Sequence, residues 1–215
     1  MLNLPKSTEF NKRIPKQKFY ENLKITPLLK KLFVDEIKII YWRNKLASTT
    51  LNVEEGKYVK EIEVFEIRLN QQSIDEKILV QIDQIIPYHI LYVLEYKNKY
   101  QLVMSYKEVI NKNTFKILKY FYSEWTDLNA LDIKINGLNL DVIYESCIRQ
   151  ISKEEISNYS QKTLKESIEI NLKKQNIQKQ ISSLQVKLRR EKQLNRQMEI
   201  NKKIKELRKE EEEEL

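Results

Sequence analysis

With 215 residues the chain is long enough for one domain with a sizeable core plus an appendage, and 41% hydrophobic content with 12 Tyr and 6 Phe is that of a folded protein. Two glycines, Gly56 and Gly137, exclude a phosphate loop or a dinucleotide fingerprint, and one His with one Cys excludes a structural zinc site of the Cys/His kind. The net charge of +8 favours acidic partners, nucleic acid first among them, although a chain this rich in Ile, Lys and Asn also gains lysine by composition alone. There is no run of eighteen apolar residues and no charged-then-apolar leader at Met1, so neither a membrane span nor a secretory signal is expected. A single cysteine suits a reducing compartment, and the expected location is the cytoplasm.

The entry segment "LPKSTEFNKRIPKQKFY" sets five cations, Lys6, Lys12, Arg13, Lys16 and Lys18, among Leu4, Phe10, Ile14 and Phe19, with Pro15 suited to open a short helix. These cations are candidates for phosphate contact. Thr26-Pro27 reads as an N-cap with proline at N1, opening a helix whose apolar face runs Leu28, Leu29, Leu32, Phe33, Ile37, Ile40 and Tyr41. "VKEIEVFEIRL", 59 to 69, reads as a strand whose apolar phase shifts between Val64 and Phe65, as a bulge or burial on both faces would produce. Ser73 with Glu76 forms a capping box ahead of "ILVQIDQII", and Pro87 ends that helix.

Residues 89 to 108 read as two strands joined near Lys97-Asn98-Lys99, and 115 to 125 as another. His89 opens the first strand with no nucleophile elbow anywhere in the chain, so it reads as a buried, hydrogen-bonded histidine. Leu140, Ile143, Cys147, Ile148 and Ile151 recur at helical spacing, which places Cys147 in the core. Residues 1–152 are therefore expected to form an α+β body, a mainly antiparallel sheet covered by helices, and residues 153–215 a helical tail.

Between 165 and 209 the tail holds 14 Lys/Arg against five acids, and Glu210 to Glu214 follow at the unfavourable end of a helix dipole, where fraying is expected. Ile170, Ile177, Ile181, Leu184 and Leu188 form a heptad seam, which fails when the next positions bring Glu191 and Asn195. Ile200, Ile204 and Leu207 restart it out of phase. The pattern predicts either a basic helical hairpin turning near Leu194-Asn195, with Asn195 as N-cap, or a stutter in one long helix or coiled coil. Ile177, Ile181, Leu184, Leu188, Ile200, Ile204 and Leu207 are the residues expected to meet a partner, a second copy of the chain, or one another. Lys187, Arg189 and Arg190 are candidate phosphate contacts on the same arm.

Glu95-Tyr96-Lys97 carries the one spacing with catalytic potential. Strand alternation would put Glu95 and Lys97 on one face, and a metal-dependent nuclease would add Glu63 or Glu66 from an earlier strand to hold Mg²⁺ or Mn²⁺. A helix lies between the two halves, which is an unusual layout. No other cofactor or metal is expected.

The segments "LPKSTEFNKRIPKQKFY", "VFEIRL", "IPYHILYVLEY", "GLNLDVIYESCIRQI" and "REKQLNRQMEINKKIKELRKE", in that order, make the chain similar to domain-of-unknown-function family 4391 from about Leu4 to Arg208. Genes of that family often lie beside helicases and DNA methyltransferases resembling type III restriction systems. The resemblance implies a part in DNA restriction or phage defence, with a helicase or methyltransferase as partner, and brings no catalytic residues with it. In the family the strand after the Pro-Tyr step commonly ends in a Tyr-Gly-Asp type turn, where this chain has "EYKNK". The leading expectation is a non-enzymatic accessory subunit that binds such a partner and DNA, with possible self-association through the tail. The alternative is a nuclease using Glu66, Glu95 and Lys97.

Overall fold

The run Ile37 to Trp42 sets the architecture of the body. The computed structural model describes residues 2–21, 25–111, 114–153, 155–156 and 162–213. In it α1 (Pro27–Glu36), capped by Thr26 Oγ1 accepting from Leu29 N at 3.2 Å, stops at Glu36, and β2 (Ile37–Ala47) begins at once. The helix expected to run through Ile40 and Tyr41 is thus four to five residues too long. Ile37, Ile39, Ile40, Tyr41 and Trp42 are β-branched or aromatic, and they pack better on a pleated surface than on a helix.

β1 (Glu9–Ile14), β2, β3 (Glu61–Leu69), β4 (His89–Tyr96), β5 (Lys99–Asn111) and β6 (Thr114–Tyr122) lie side by side in chain order, and the short β7 (Thr126–Asp127) pairs with β5. A four-residue helix, α2 (Ser48–Leu51), follows β2. Every pairing is antiparallel except that of β3 with β4, which the helix α3 (Glu76–Ile85) connects. The α3 cap differs from the expected Ser73–Glu76 box. Asp75 is the N-cap, its Oδ1 accepting from Lys77 N at 2.9 Å, while Glu36 Oε2 accepts from Asp75 N at 2.7 Å. β3 is buried on both faces, and the bulge lies in its neighbour, between Trp42 and Asn44 of β2.

Alternation along β3 and β4 sorts the sheet into two faces. Phe65, Ile67, Ile90, Tyr92 and Leu94 join Phe33 of α1 and Ile78, Leu79 and Ile82 of α3 in one core. The opposite face carries His89, Leu91 and Val93, and there α4 (Leu140–Ser152) packs, the ring of Tyr144 standing 4.4 Å from that of His89. Cys147 is fully buried on α4 and burial pushes its thiol up to about 12. Asn139 caps this helix. In its first turn Asp141 accepts from the amides of Lys57, Tyr58 and Val59, and a side chain at Gly56 would collide with that carboxylate.

The most heavily engaged polar group of the body is Asp83 of α3. Its Oδ1 lies 3.0 Å from Lys107 Nζ and accepts from Tyr92 OH at 3.0 Å, and its Oδ2 accepts from Ser105 Oγ at 3.0 Å and Tyr120 OH at 2.5 Å. Neither charged side chain exceeds 1% exposure. Lys107 also donates to the Tyr88 carbonyl at 2.7 Å, and burial lowers its ammonium pKa despite the neighbouring carboxylate. A bulge at Tyr106/Lys107 is filled by Tyr144, whose hydroxyl accepts from Lys107 N and donates to the Ser105 carbonyl.

The chain divides into two compact units, Met1–Lys153 and Glu154–Leu215. In the second, α5 (Leu164–Arg190) starts at a capping box between Thr163 and Glu166, and α6 (Leu194–Glu213) folds back along it. The hairpin form is therefore adopted, with its turn at 191–193, slightly earlier than expected. Asn195 lies inside α6 rather than capping it. Glu191 makes the turn, accepting from the amides of Lys192 and Gln193, which lowers its carboxyl pKa. α6 stays helical through Glu213, where fraying was expected; Glu214 lies outside the described residues. Among the described residues no helix is long and apolar enough to cross a membrane.

Removing one member of a buried charge pair leaves the other uncompensated, a cost of about 3–5 kcal/mol, whereas replacing both with apolar groups costs far less. Lys107→Met should therefore lower unfolding free energy by about that amount in urea titration. Asp83→Leu/Lys107→Met together should be less destabilised than the two single changes added.

Candidate functional site

The carboxyl ends of adjacent parallel strands are where an open α/β sheet offers a ligand crevice, and among the described residues β3 and β4 are the one such pair. Arg68 lies opposite Glu95 in that pairing, and Glu66 opposite Val93. Both glutamates and Arg68 fall on the α4 face. Glu66, 2% exposed, is held on both oxygens: Arg43 Nε donates to Oε2 at 2.6 Å and Arg68 Nε to Oε1 at 2.7 Å. Glu95 Oε2 stands 3.8 Å from Arg68 Nε. Both guanidiniums lie over the Tyr41 ring, at 4.3 Å for Arg43 and 5.3 Å for Arg68. The hydrogen bond to Glu66 raises the Arg68 pKa further, so its charge is permanent. A second tether runs from Arg43 Nη1 to Asn11 Oδ1 at 3.3 Å.

Around this cluster opens a pocket of about 350 Å³, lined by Leu2, Leu4, Glu9, Asn11, Arg43, Asn44, Glu66, Arg68, Tyr100 and Leu128. Partial burial, with Glu95 and Glu66 close by, raises the Tyr100 phenol pKa and keeps it a donor. Backbone geometry explains two of the contributors. Asn11 takes φ of 48° in the β1 bulge, and Arg43 sits in the β2 bulge opposite β3.

The structure brings Glu66 and Glu95 to a common point, and that point is Arg68 Nε. Lys97 does not join them. The turn after β4 has φ of 48° at Lys97 and 64° at Asn98, the pattern of a two-residue hairpin turn, and this breaks the alternation that would have set Lys97 beside Glu95. The Lys97 ammonium lies over the Tyr96 ring, which packs on the α3-side core, while Glu95 Oε1 accepts from Asn98 N. Glu63 is on that same opposite side of the sheet and cannot share a site with Glu95. Among the described residues no three His, Cys, Asp or Glu side chains are placed to hold a metal ion. The donors at Glu66 do not fit Mg²⁺ or Mn²⁺, because a cation would have to displace a guanidinium from each oxygen it took.

Sequence reasoning missed Arg43, Arg68, Tyr41 and Tyr100. Glu66-Ile67-Arg68 was readable as a same-face pair two residues apart, but Arg43 reaches Glu66 from 23 residues away through a bulge that nothing local announces.

Of the expected phosphate contacts, Lys6, Lys12, Arg13 and Lys18 are exposed, with Lys12 over the Phe10 ring. Lys16 is committed elsewhere, donating to the Val34 and Ile37 carbonyls at the end of α1, and desolvation there lowers its pKa. Lys187, Arg189 and Arg190 are exposed on the last turn of α5. Ile177, Ile181, Leu184, Leu188, Ile200, Ile204 and Leu207 pack against one another. They form the inside of the hairpin rather than a face awaiting a partner, since the three-residue turn lets each short seam cover the other.

Glu61 and Glu63 form a second carboxylate pair, at the start of β3. Lys45 Nζ lies 2.8 Å from Glu61 Oε2 without hydrogen-bond alignment, and Glu63 Oε2 is buried with no hydrogen-bond partner. Burial first, and Glu61 second, push the Glu63 carboxyl up to about 8 from its ordinary 4.5. The folded state therefore binds a proton that the unfolded state releases between those values, so this group's contribution to stability is full below pH 4.5 and is lost as pH rises to about 8. Glu63→Gln should flatten the fall in thermal midpoint across that window relative to the parent chain.

His89 is buried and neutral, its pKa depressed to about 3 by burial and by the Lys107 charge, which fits packing between the Tyr144 and Phe115 rings. A family model described as a domain of unknown function (DUF4391) matches residues 2–210. No curated protein and no solved structure matches the chain.

Proposed function

The chain belongs to the DUF4391 family, whose description carries no activity, and from that premise we propose that it is a non-enzymatic accessory subunit of a DNA restriction or phage-defence system. In this reading it holds a helicase or methyltransferase partner and touches DNA through exposed cations of the entry strand and the helical hairpin. The observation that carries the reading is Glu66. Its two oxygens are taken by Arg43 and Arg68, and with Glu95 beside them two carboxylates face two guanidiniums, so the group is fixed in place. Such a cluster presents rigid guanidinium edges on Tyr41 to a phosphate or a carboxylate, with both oxygens of Glu66 already engaged.

A second reading, a metal-dependent nuclease, draws on the convergence of Glu66 and Glu95. It requires Arg68 to leave the point where both carboxylates meet, and it loses Lys97 to the other side of the sheet.

Duplex binding measured between about 50 and 200 mM salt should weaken linearly on log–log axes, with a slope of roughly 0.9 per phosphate neutralised. Incubation of the same DNA with Mg²⁺ or Mn²⁺ should leave it intact, and capture from the native host should retain a helicase or methyltransferase after nuclease treatment. Metal-dependent cleavage that disappears in Glu66→Gln would overturn the proposal in favour of the second reading.

A further inference from the structure

The hairpin buries its apolar seam and leaves its charge outside, so its flanks can be compared. On one flank α5 and α6 leave a groove of about 320 Å³ lined by Lys179, Gln180, Ser183, Leu184, Lys187 and Lys203. Its composition is one-sided: three ammonium groups, an amide and a hydroxyl that can donate, one apolar residue, and no carboxylate. Lys179, Lys187 and Lys203 are exposed, and among the described residues none of them is in an ion pair. By contrast Lys202, a neighbour outside the groove, is matched to Glu206 at 4.0 Å.

Spacing adds a second argument. Lys179, Ser183 and Lys187 recur every four residues and therefore lie along one side of α5. At 1.5 Å per residue the two lysines are about 12 Å apart along the helix. One strand of duplex DNA places three to four phosphates along about that length, at one per 3.4 Å. Lys203, from the antiparallel α6, adds a cation across the groove, so the three charges form a short track. A track of ammonium groups suits a polyanion of regular spacing, and the 27 residues of α5, about 40 Å, match roughly one turn of duplex.

We infer that this groove is the hairpin's nucleic-acid contact, and that it holds the phosphodiester backbone without reading sequence. The inference rests on the proposed DNA-binding role and assigns that role to one flank of one unit. It places Lys179 and Lys203, which the pattern of the tail had not singled out, ahead of Arg189 and Arg190.

The test is fluorescence anisotropy with the full chain and two labelled duplexes of unrelated sequence, over a salt series. Lys179→Gln/Lys187→Gln/Lys203→Gln is compared with Lys205→Gln/Arg208→Gln/Lys209→Gln, which removes the same charge from exposed positions of α6 outside the groove, and circular dichroism confirms that both stay helical. The groove variant should lose about 2.7 from the salt slope, three contacts at roughly 0.9 each, equally on both duplexes, while the comparison variant keeps the parent slope. Equal losses in both variants, or an unchanged slope in the groove variant while the parent binds, overturns the groove and leaves the proposed DNA role standing. No binding by the parent chain at about 50 mM salt overturns both, and points these lysines to an acidic protein surface.

Discussion

The body depends on the buried pair of Asp83 and Lys107. Two charges out of water are tolerated only when each is surrounded by partners, and here three hydroxyls and a backbone carbonyl supply them: Tyr92 from β4, Ser105 from β5, Tyr120 from β6 and the Tyr88 carbonyl. Because those groups come from three successive strands, α3 can dock on the sheet in only one register. That register matters because α3 is the crossover between the parallel strands β3 and β4. It sets β3 beside β4 so that Arg68 faces Glu95, and the pocket at the strand ends follows from it.

Two glutamates on β3, three residues apart and on opposite faces, show how local surroundings divide like groups. Glu66 meets two guanidiniums held against Tyr41 and becomes the anchor of a charged cluster. Glu63 meets burial and another carboxylate, and its proton is retained up to about pH 8. The same strand thus presents a rigid ion-pair surface on one side and a near-neutral carboxyl on the other, next to Trp42 and Phe65 in a largely apolar layer. On the hairpin the arrangement is different again. Its seam residues, from Ile177 to Leu207, hold the two helices together, while Val186, Leu194 and Met198 stay exposed.

Much of the body was legible because runs rich in β-branched and aromatic residues mark β3 and β4, helical spacing marks α4, and Pro87 punctuates the end of the helix before β4. The failure of the heptad seam after Leu188 likewise announced the break between α5 and α6. The misreadings share a physical cause. β1 is short and mostly exposed, with a bulge, so it has no apolar period to read. The α1–β2 junction has no loop, and an apolar run that continues across it satisfies a helical template until its β-branched content is weighed. At the site, Glu95 and Lys97 were paired by assuming that alternation persists to the end of a strand. The positive-φ turn at Lys97 and Asn98 ends it one residue too soon. Arg43 was beyond reach for a different reason, since a bulge in one strand supplies a partner to the next, and such long-range pairing is tertiary information.

The position of Cys147 gives the body an internal clock. The only sulfhydryl of the chain is sealed between α4 and the sheet with its ionisation suppressed, so an alkylating reagent finds almost no thiolate to attack while the helix is docked. Alkylation becomes a readout of excursions in which α4 lifts away, and its rate reports the free energy of that opening rather than surface chemistry. One native residue thus reports, without any engineered label, how often the body breathes.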